Sequence, residues 1–533
     1  MPNTIAASPG ITLSRLTFKS FLLGSLQVLC LLCLFAQIAI NDQLDNVVSV
    51  VLVVLSSSLL IQYLWRSQAM ATHPLSSLAL LGFTASSQLV ALLTQTGSWA
   101  PFTQYLRAPV LTFSVLATVH VTAVLAHFVF RHFAPLRHAS QFIAEKIYGP
   151  LNLHRIPTPD TLWVLSIIGL VAFVFGGGEF GDVGGKFLAA FSFMVWMPFL
   201  IILYRDILGP SYCDLKRQLP FIVLFGLLVM ALAVIRNYRA MIFIGPIQLA
   251  FVYLIHKCHR PTPISSTSLK VGCGFIVAGA LLMPVLADLV TSMEMVRMYR
   301  ERSTPAEMLK ETFETFLDKQ RIQQYRDSSA IAPIVMMYDE KYLGNPLLNR
   351  LSETKFHDNM IYFGSQFGDK DRADLIDYQI AKIIYIVPQN VLDFLEVKFD
   401  KNKYFYSTGD FYINQHHGGM LGGFVTGSIW ADAYVISGYW LPFFVFGLLL
   451  LVFIPMDALS RFGPGYFVSP AALCSTWSLF LYGIGAESIA VKVNHLTRGA
   501  IQLPFLYAIT LFSVVFVVHL FGRTAFARSS ASQ

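Results

Sequence analysis

Adjacent histidines His416 and His417 stand between two acids, Asp410 and Asp432, in 404-YFYSTGDFYINQHHGGMLGGFVTGSIWADAYVISGYW-440. An imidazole exchanges a proton near neutral pH, so this pair suits a general base or a hydrogen-bonder to substrate. A metal centre fits poorly: neighbouring His side chains diverge on any regular element, and no third ligand follows at helical spacing. Asp432 opens an apolar run, where a carboxylate needs an aqueous cavity or a partner. It either pairs with a cation or meets a substrate directly. Arg236 and Arg239 interrupt apolar sequence in 234-VIRNYRAMIFIGP-246, and Lys492, His495 and Arg498 follow in 487-ESIAVKVNHLTRGA-500. Long cationic side chains at helix ends reach the membrane interface. Anchoring is thus one reading of these arginines, and their recurrence on one side of the chain favours a functional one.

The elements that carry these residues are apolar. Of 533 residues, 55% are hydrophobic and only 13% charged, about half the charge of a soluble globular chain. Runs long enough for a bilayer core of roughly 30 Å recur, so the composition predicts an all-α polytopic membrane protein. Hydropathy predicts about twelve spans, near 20–40, 46–64, 76–95, 108–130, 161–177, 187–204, 219–235, 240–256, 271–290, 428–454, 466–485 and 502–521. The first run follows Arg15 and Lys19, exceeds a secretory signal core and lacks a small-residue cleavage site, so it reads as a retained span. The net charge of +7 comes from scattered flanking residues rather than a basic face, which excludes a nucleic-acid binder. The six cysteines lie in or beside apolar segments. Cys30 and Cys33 inside a span read as packing, not as redox or metal chemistry.

Short connections carry Arg66, then Arg131, Arg137, Lys146 and Arg155, then Arg205, Lys216 and Arg217, then Lys257, Arg260 and Lys270, and finally Arg461. All fall on the N-terminal side, which the positive-inside bias makes cytoplasmic, with both termini inside. Acidic 41-NDQLD-45, Gly-rich 176-GGGEFGDVGGK-186 and the one large insert then lie outside, together with Arg236, Arg239 and Arg498. The chain divides into membrane helices over 1–290, an outer insert over 291–427 and membrane helices over 428–533. Thr304, Pro305 and Glu307 signal a helix start in the insert, with Leu309, Phe313 and Phe316 as its packed stripe. The apolar stretches 330–341 and 379–395, broken by Pro333 and Pro388, predict interfacial or re-entrant helices.

The chain resembles the membrane polymerases of bacterial surface glycans, the O-antigen and oligosaccharide repeat-unit polymerases. It is similar also to the enterobacterial common antigen polymerases and the O-antigen ligases. The likeness rests on 234-VIRNYRAMIFIGPIQLAF-251, on 384-IYIVPQNVLDF-394 in a late outer loop, on 418-GGMLGGFVTGSIWADAYVISGYW-440, and on 494-NHLTRGAIQLPFLY-507. One departure is Asp432, where the family more often has Glu. The resemblance implies an inner-membrane glycosyltransferase that polymerises undecaprenyl pyrophosphate-linked oligosaccharide on the periplasmic face. Arg236, Arg239, Arg498 and Asp410 would bind pyrophosphate and glycan, and His416, His417 or Asp432 would act as base. It implies no metal or cofactor, a flippase and a chain-length regulator as partners, and a surface polysaccharide or exopolysaccharide as product. The alternatives are a ligase-like transferase and a polysaccharide transporter or flippase.

Overall fold

The structure, a computed structural model, describes residues 17–176, 190–236, 266–296, 304–331, 338–418, 421–461, 467–472 and 487–520, with isolated positions at 188, 250, 253–254 and 256–258. Seven helices are long and apolar enough to cross a membrane: α1 (Phe18–Ile40), α2 (Leu44–Arg66), α3 (Pro74–Gly97), α4 (Pro109–His132), α7 (Leu215–Ile235), α13 (Ile429–Ala458) and α14 (Ile489–Leu520). At 1.5 Å per residue the shortest of them reaches about 31 Å, the thickness of a hydrocarbon core. Between them in the chain lie α5 (Ala134–Phe142), the shorter apolar α6 (Pro159–Phe175) and the long α8 (Ser266–Val296). The insert supplies α9 (Pro305–Leu317), α10 (Thr354–Gly364), α11 (Asp369–Ile386) and α12 (Thr408–His417). The β structure among the described residues is one antiparallel pair, Ser460–Arg461 with Phe467–Val468.

All seven helices coincide with expected spans. The run at 161–177 becomes α6 and that at 271–290 lies inside α8, whereas 187–204 is a 3-10 stretch (Ser192–Phe199) followed by the short helix Leu200–Leu208. Most of 240–256 and 466–485 falls outside the described residues, as does 177–186. The last span differs most, because α14 begins at Ile489 rather than near 502. Its N-terminal amides have acceptors: Asp432 takes the Ile489 N–H at 3.1 Å and Ser488 Oγ takes that of Val491 at 3.3 Å. A capped start lets the polar stretch before the apolar run join the helix. Arg498 therefore lies inside α14, about 13 Å from its start, and not at an outer helix end.

Packing gathers the connections between the membrane helices into two sets, one at each end of the bundle. At one end the turn after α1, the α3–α4 loop and the insert interlock. Phe102 N donates to Gln37 Oε1 at 2.9 Å, Thr103 N to Asn46 Oδ1 at 3.2 Å, and Tyr342 Oη to Phe102 O at 2.6 Å. At the other end gather the Lys- and Arg-bearing connections. There Lys19 Nζ donates to Ser67 O at 2.9 Å, and Asp457 Oδ1 accepts from Leu75 N and Ser76 N at 3.0 and 3.3 Å. His154 Nε2 meets Ala458 O at 2.9 Å. We refer to these as the insert end and the basic end.

Inside the bundle α2 packs on α1 and α4, and α13 packs on α4. α6 lies so close to the 3-10 stretch that a Cβ on Gly169 would stand 2.2 Å from Val195 N. Cys30 and Cys33 are buried free thiols. The start signal of α9 forms a complete capping box, with Glu307 N donating to Thr304 Oγ1 at 3.3 Å and Thr304 N to Glu307 Oε2 at 2.7 Å. Its expected stripe is corrected. Met308, Thr312 and Thr315 form the buried face; of the expected stripe Phe316 is half-buried, while Leu309 and Phe313 are exposed. The neighbour α8 meets the small, hydroxyl-bearing side of the helix, so the larger apolar side chains point away from it.

Candidate functional site

At the insert end one helix organises the chemistry. α10 turns its first half toward the membrane helices and its last residues toward a cluster of rings. Asp358 on its inner side accepts from Arg107 N at 2.6 Å, Ala108 N at 3.0 Å and Thr112 Oγ1 at 3.1 Å. This carboxylate ties the chain entering α4 to α10 and fixes the backbone of Arg107. Burial raises the Asp358 pKa, a push opposed by these donors and by Lys355. Lys355 in turn gives its Nζ to Tyr105 O.

On the other side of α10, the Arg107 guanidinium lies over Phe363 and Tyr362, 5.1 and 5.4 Å from the ring centres. The same two rings carry His416, at 5.1 Å from Phe363 and 6.2 Å from Tyr362. His417 stands 5.7 Å from Phe363 and 4.0 Å from His416. Both histidines sit in the last turn of α12 and are half-buried. Gly418 then closes the helix in the left-handed region, φ 65°, a conformation glycine adopts without strain. Desolvation first, then His417 and Arg107, lower the His416 pKa. A neutral imidazole beside a fixed cation can take up a proton, and the cation can hold an anion.

The two acids expected to meet substrate are held by the fold instead. Asp410 completes a capping box with Ser407 and accepts from the N–H groups of Gly422, Phe424 and Val425 at 3.2, 3.0 and 3.1 Å. It ties the glycine-rich loop to α12 with nearly all its acceptor capacity. The loop passes so near that a Cβ on Gly409 would stand 2.4 Å from Val425 O. Asp432 is fully buried in the first turn of α13. It accepts from Gln379 Nε2 at 2.8 Å, Tyr412 Oη at 3.1 Å and Ile489 N at 3.1 Å. It joins α11, α12 and α14 to α13, and its position there is that of a structural tie rather than an exposed base.

Among the arginines, Arg236 donates from Nη1 to Phe173 O and lies over the Phe173 ring at 5.7 Å. It engages the last turn of α6 from the end of α7, as an interface anchor does. Arg239 and the side chain of Arg498 lie outside the described residues. The residue that sequence reasoning missed is Arg107. It is a single cation in a short loop, and nothing local marks it; its rings come from α10 and its neighbours from α12.

Beneath α10 lies a second polar group. Glu353 N donates to Ser86 O at 2.8 Å, and Ser86 Oγ to Glu353 Oε2 at 3.4 Å. His357 Nδ1 meets Ser428 Oγ at 2.8 Å, and Gln88 Nε2 meets His120 Nδ1 at 3.4 Å. Ser86 and Gln88 belong to a π-helical stretch, Ala85–Leu89, inside α3, a distortion frequent at functional sites. Lys492 of α14 is buried and faces the charges of Glu353 and Glu487. Burial, reinforced by Glu487 and opposed by Lys492, raises the Glu353 carboxyl well above its usual range. Burial, with His120 and Lys492 adding to it, lowers His357 to about 3. Glu353 Oε1, His357 Nε2, His120 Nε2 and Trp430 Nε1 have no hydrogen-bond partner among the described residues.

No group of three or more His, Cys, Asp or Glu able to hold a metal ion occurs among the described residues. Comparison with protein-family models, with curated proteins and with solved structures finds no match to this chain.

Proposed function

We propose that the chain is a glycosyltransferase that polymerises undecaprenyl pyrophosphate-linked oligosaccharide at the insert end of its membrane bundle. The observation that carries this reading is the grouping of Arg107, Tyr362, Phe363, His416 and His417. It supplies a permanent cation for a diphosphate, two imidazoles for a hydroxyl proton, and ring faces on which a sugar can lie. In the reaction the acceptor sugar hydroxyl attacks the anomeric carbon of the donor. The carbon–oxygen bond to the diphosphate breaks and its electron pair leaves with the lipid pyrophosphate. The neutral His416 imidazole takes the hydroxyl proton, and Arg107 stabilises the charge growing on the leaving group. His417 holds His416 and the acceptor. Asp358 and Asp432 position the helices that carry these side chains. The family resemblance adds Arg239 and Arg498 as further candidates for binding the pyrophosphate.

The setting is the periplasmic face of an inner membrane, with both termini in the cytoplasm, a flippase delivering substrate and a chain-length regulator attending the product. A ligase-like reaction would use the same residues and differ only in its acceptor. The test is purified protein in nanodiscs with a lipid-linked repeat unit, scored for polymer by gel. His416→Asn should slow elongation about 100-fold or more, and Arg107→Ala about 100- to 1000-fold. Full-length polymer at wild-type rate from both variants rejects the assignment.

A second reading, translocation of the lipid-linked glycan, draws on the buried Glu353, His357 and Lys492, since ionisable groups among membrane helices mark transport pathways as well. Flipping of a labelled lipid-linked glycan in liposomes, without chain growth, would favour it.

A further inference from the structure

We infer that the basic end of the bundle contains a built site for a phospholipid headgroup, bound through its phosphate. A cavity of about 1100 Å³ opens there, lined by Thr72, His73, Arg137, Glu145, Asn152 and Arg155 among others. Its volume slightly exceeds that of ordinary ligand pockets, roughly 300–1,000 Å³, and it lies at the opposite end of the bundle from Arg107 and His416.

One amphipathic segment builds most of the wall. α5 runs into a π-helical turn, Ile143–Tyr148. Arg137, Ser140, Gln141, Ala144 and Glu145 line the cavity from this segment, at the spacing of a single helical face. Leu136 and Ile143 pack on the core. Phe133, Phe142 and Ile147 are exposed, at 54%, 59% and 37%. Exposed rings on a helix that follows directly from a membrane span belong at the acyl boundary. The cavity therefore faces the headgroup layer, where a lipid can enter with its chains along Phe142 and Phe133.

The charges select phosphate. The Arg137 side chain has neither a hydrogen bond nor an ion pair among the described residues. Arg155 lines the same cavity, and guanidinium forks match phosphate oxygens. The local field is positive: besides burial, Arg131, Arg137 and His132 lower His73 to about 3. Thr72, Ser140, Gln141 and Asn152 add neutral hydrogen-bonding groups, and Glu145 offers one carboxylate suited to an amine-bearing headgroup.

The turn beside the cavity is tightly wound: a Cβ on Gly149 would stand 2.7 Å from Glu145 O, and Asn152 holds φ at 54°. The site is independent of the chemistry at the insert end.

The experiment uses the full-length wild-type protein in nanodiscs with a photoactivatable phosphatidylethanolamine or phosphatidylglycerol, followed by peptide mapping. Adducts are expected within 133–155, and labelling confined to other segments overturns the site. Native mass spectrometry of Arg137→Ala/Arg155→Ala is expected to show about a tenfold loss of retained phospholipid, with Arg137→Lys intermediate. Unchanged retention overturns the proposal. Diacylglycerol, which lacks the phosphate, should not be retained, and equal retention of it refutes phosphate recognition. Glycerol phosphate and inorganic phosphate form the soluble arm. If they raise the melting temperature of wild type but not of the double variant, while phospholipid labels nothing in 133–155, the ligand is a soluble phosphate and the lipid assignment fails.

Discussion

His416 is the side chain whose chemistry depends most on its neighbours. Desolvation, His417 and the Arg107 guanidinium all favour its neutral form, so its folded pKa lies below the ordinary imidazole value of about 6.5. A base is active when unprotonated, so transfer activity should rise with pH along an acidic limb centred below that value. Arg107→Ala removes one of the depressing charges. Its limb should move to higher pH, and rates between pH 5 and 8 would show it; an unmoved limb means the guanidinium does not act on His416. Asp432 behaves differently. Truncation to Ala leaves Gln379, Tyr412 and the Ile489 N–H without their acceptor, which costs about 3 kcal/mol or more. Thermal unfolding in detergent should show that loss, whereas Asp432→Asn should lose less. Neither role could be read from the chain alone. The acid was conspicuous because of its apolar surroundings, but the donors that occupy it come from residues 379, 412 and 489. Arg107 was inconspicuous for the converse reason, since the rings that give it a setting lie in α10.

At the scale of elements, hydropathy located the long helices because about 20 consecutive apolar residues leave few alternatives in lipid. Hydropathy places the start of α14 too late, where caps rather than apolarity decide, and residue spacing picks the wrong buried face of α9, where the neighbour decides. Small residues set the closest approaches. Gly169→Val should prevent α6 from seating against Val195, and we expect loss of monodisperse protein in size-exclusion chromatography. Asp410→Ala should leave α12 formed but release the loop over 421–427. Faster amide exchange confined to that loop, with activity reduced, would distinguish the tie from a substrate contact; a variant with native exchange and no activity would return Asp410 to the substrate.

For the whole molecule, the separation of insert end and basic end follows the alternation that the Lys and Arg placement implies. The topology has a direct readout. Single cysteines at positions 42, 100 and 350 should all react with a membrane-impermeant thiol reagent from one side, and those at 68, 138 and 152 from the other. Labelling of 100 and 138 from the same side rules out the two-ended arrangement. Which end meets the periplasm comes from the same experiment in intact cells.

The tie that Asp358 makes to the start of α4 also has a consequence for synthesis. The Ala108 amide and the carboxylate that accepts from it are 250 residues apart. At roughly 5–20 residues per second, the ribosome needs about 12 to 50 seconds to deliver α10 after Ala108 has emerged. During that interval the start of α4 has no tie to α10, and Arg107 has neither its rings nor its fixed backbone. The grouping at the insert end is thus assembled late, and a chain that stops before residue 354 holds Arg107 without the rings of Tyr362 and Phe363.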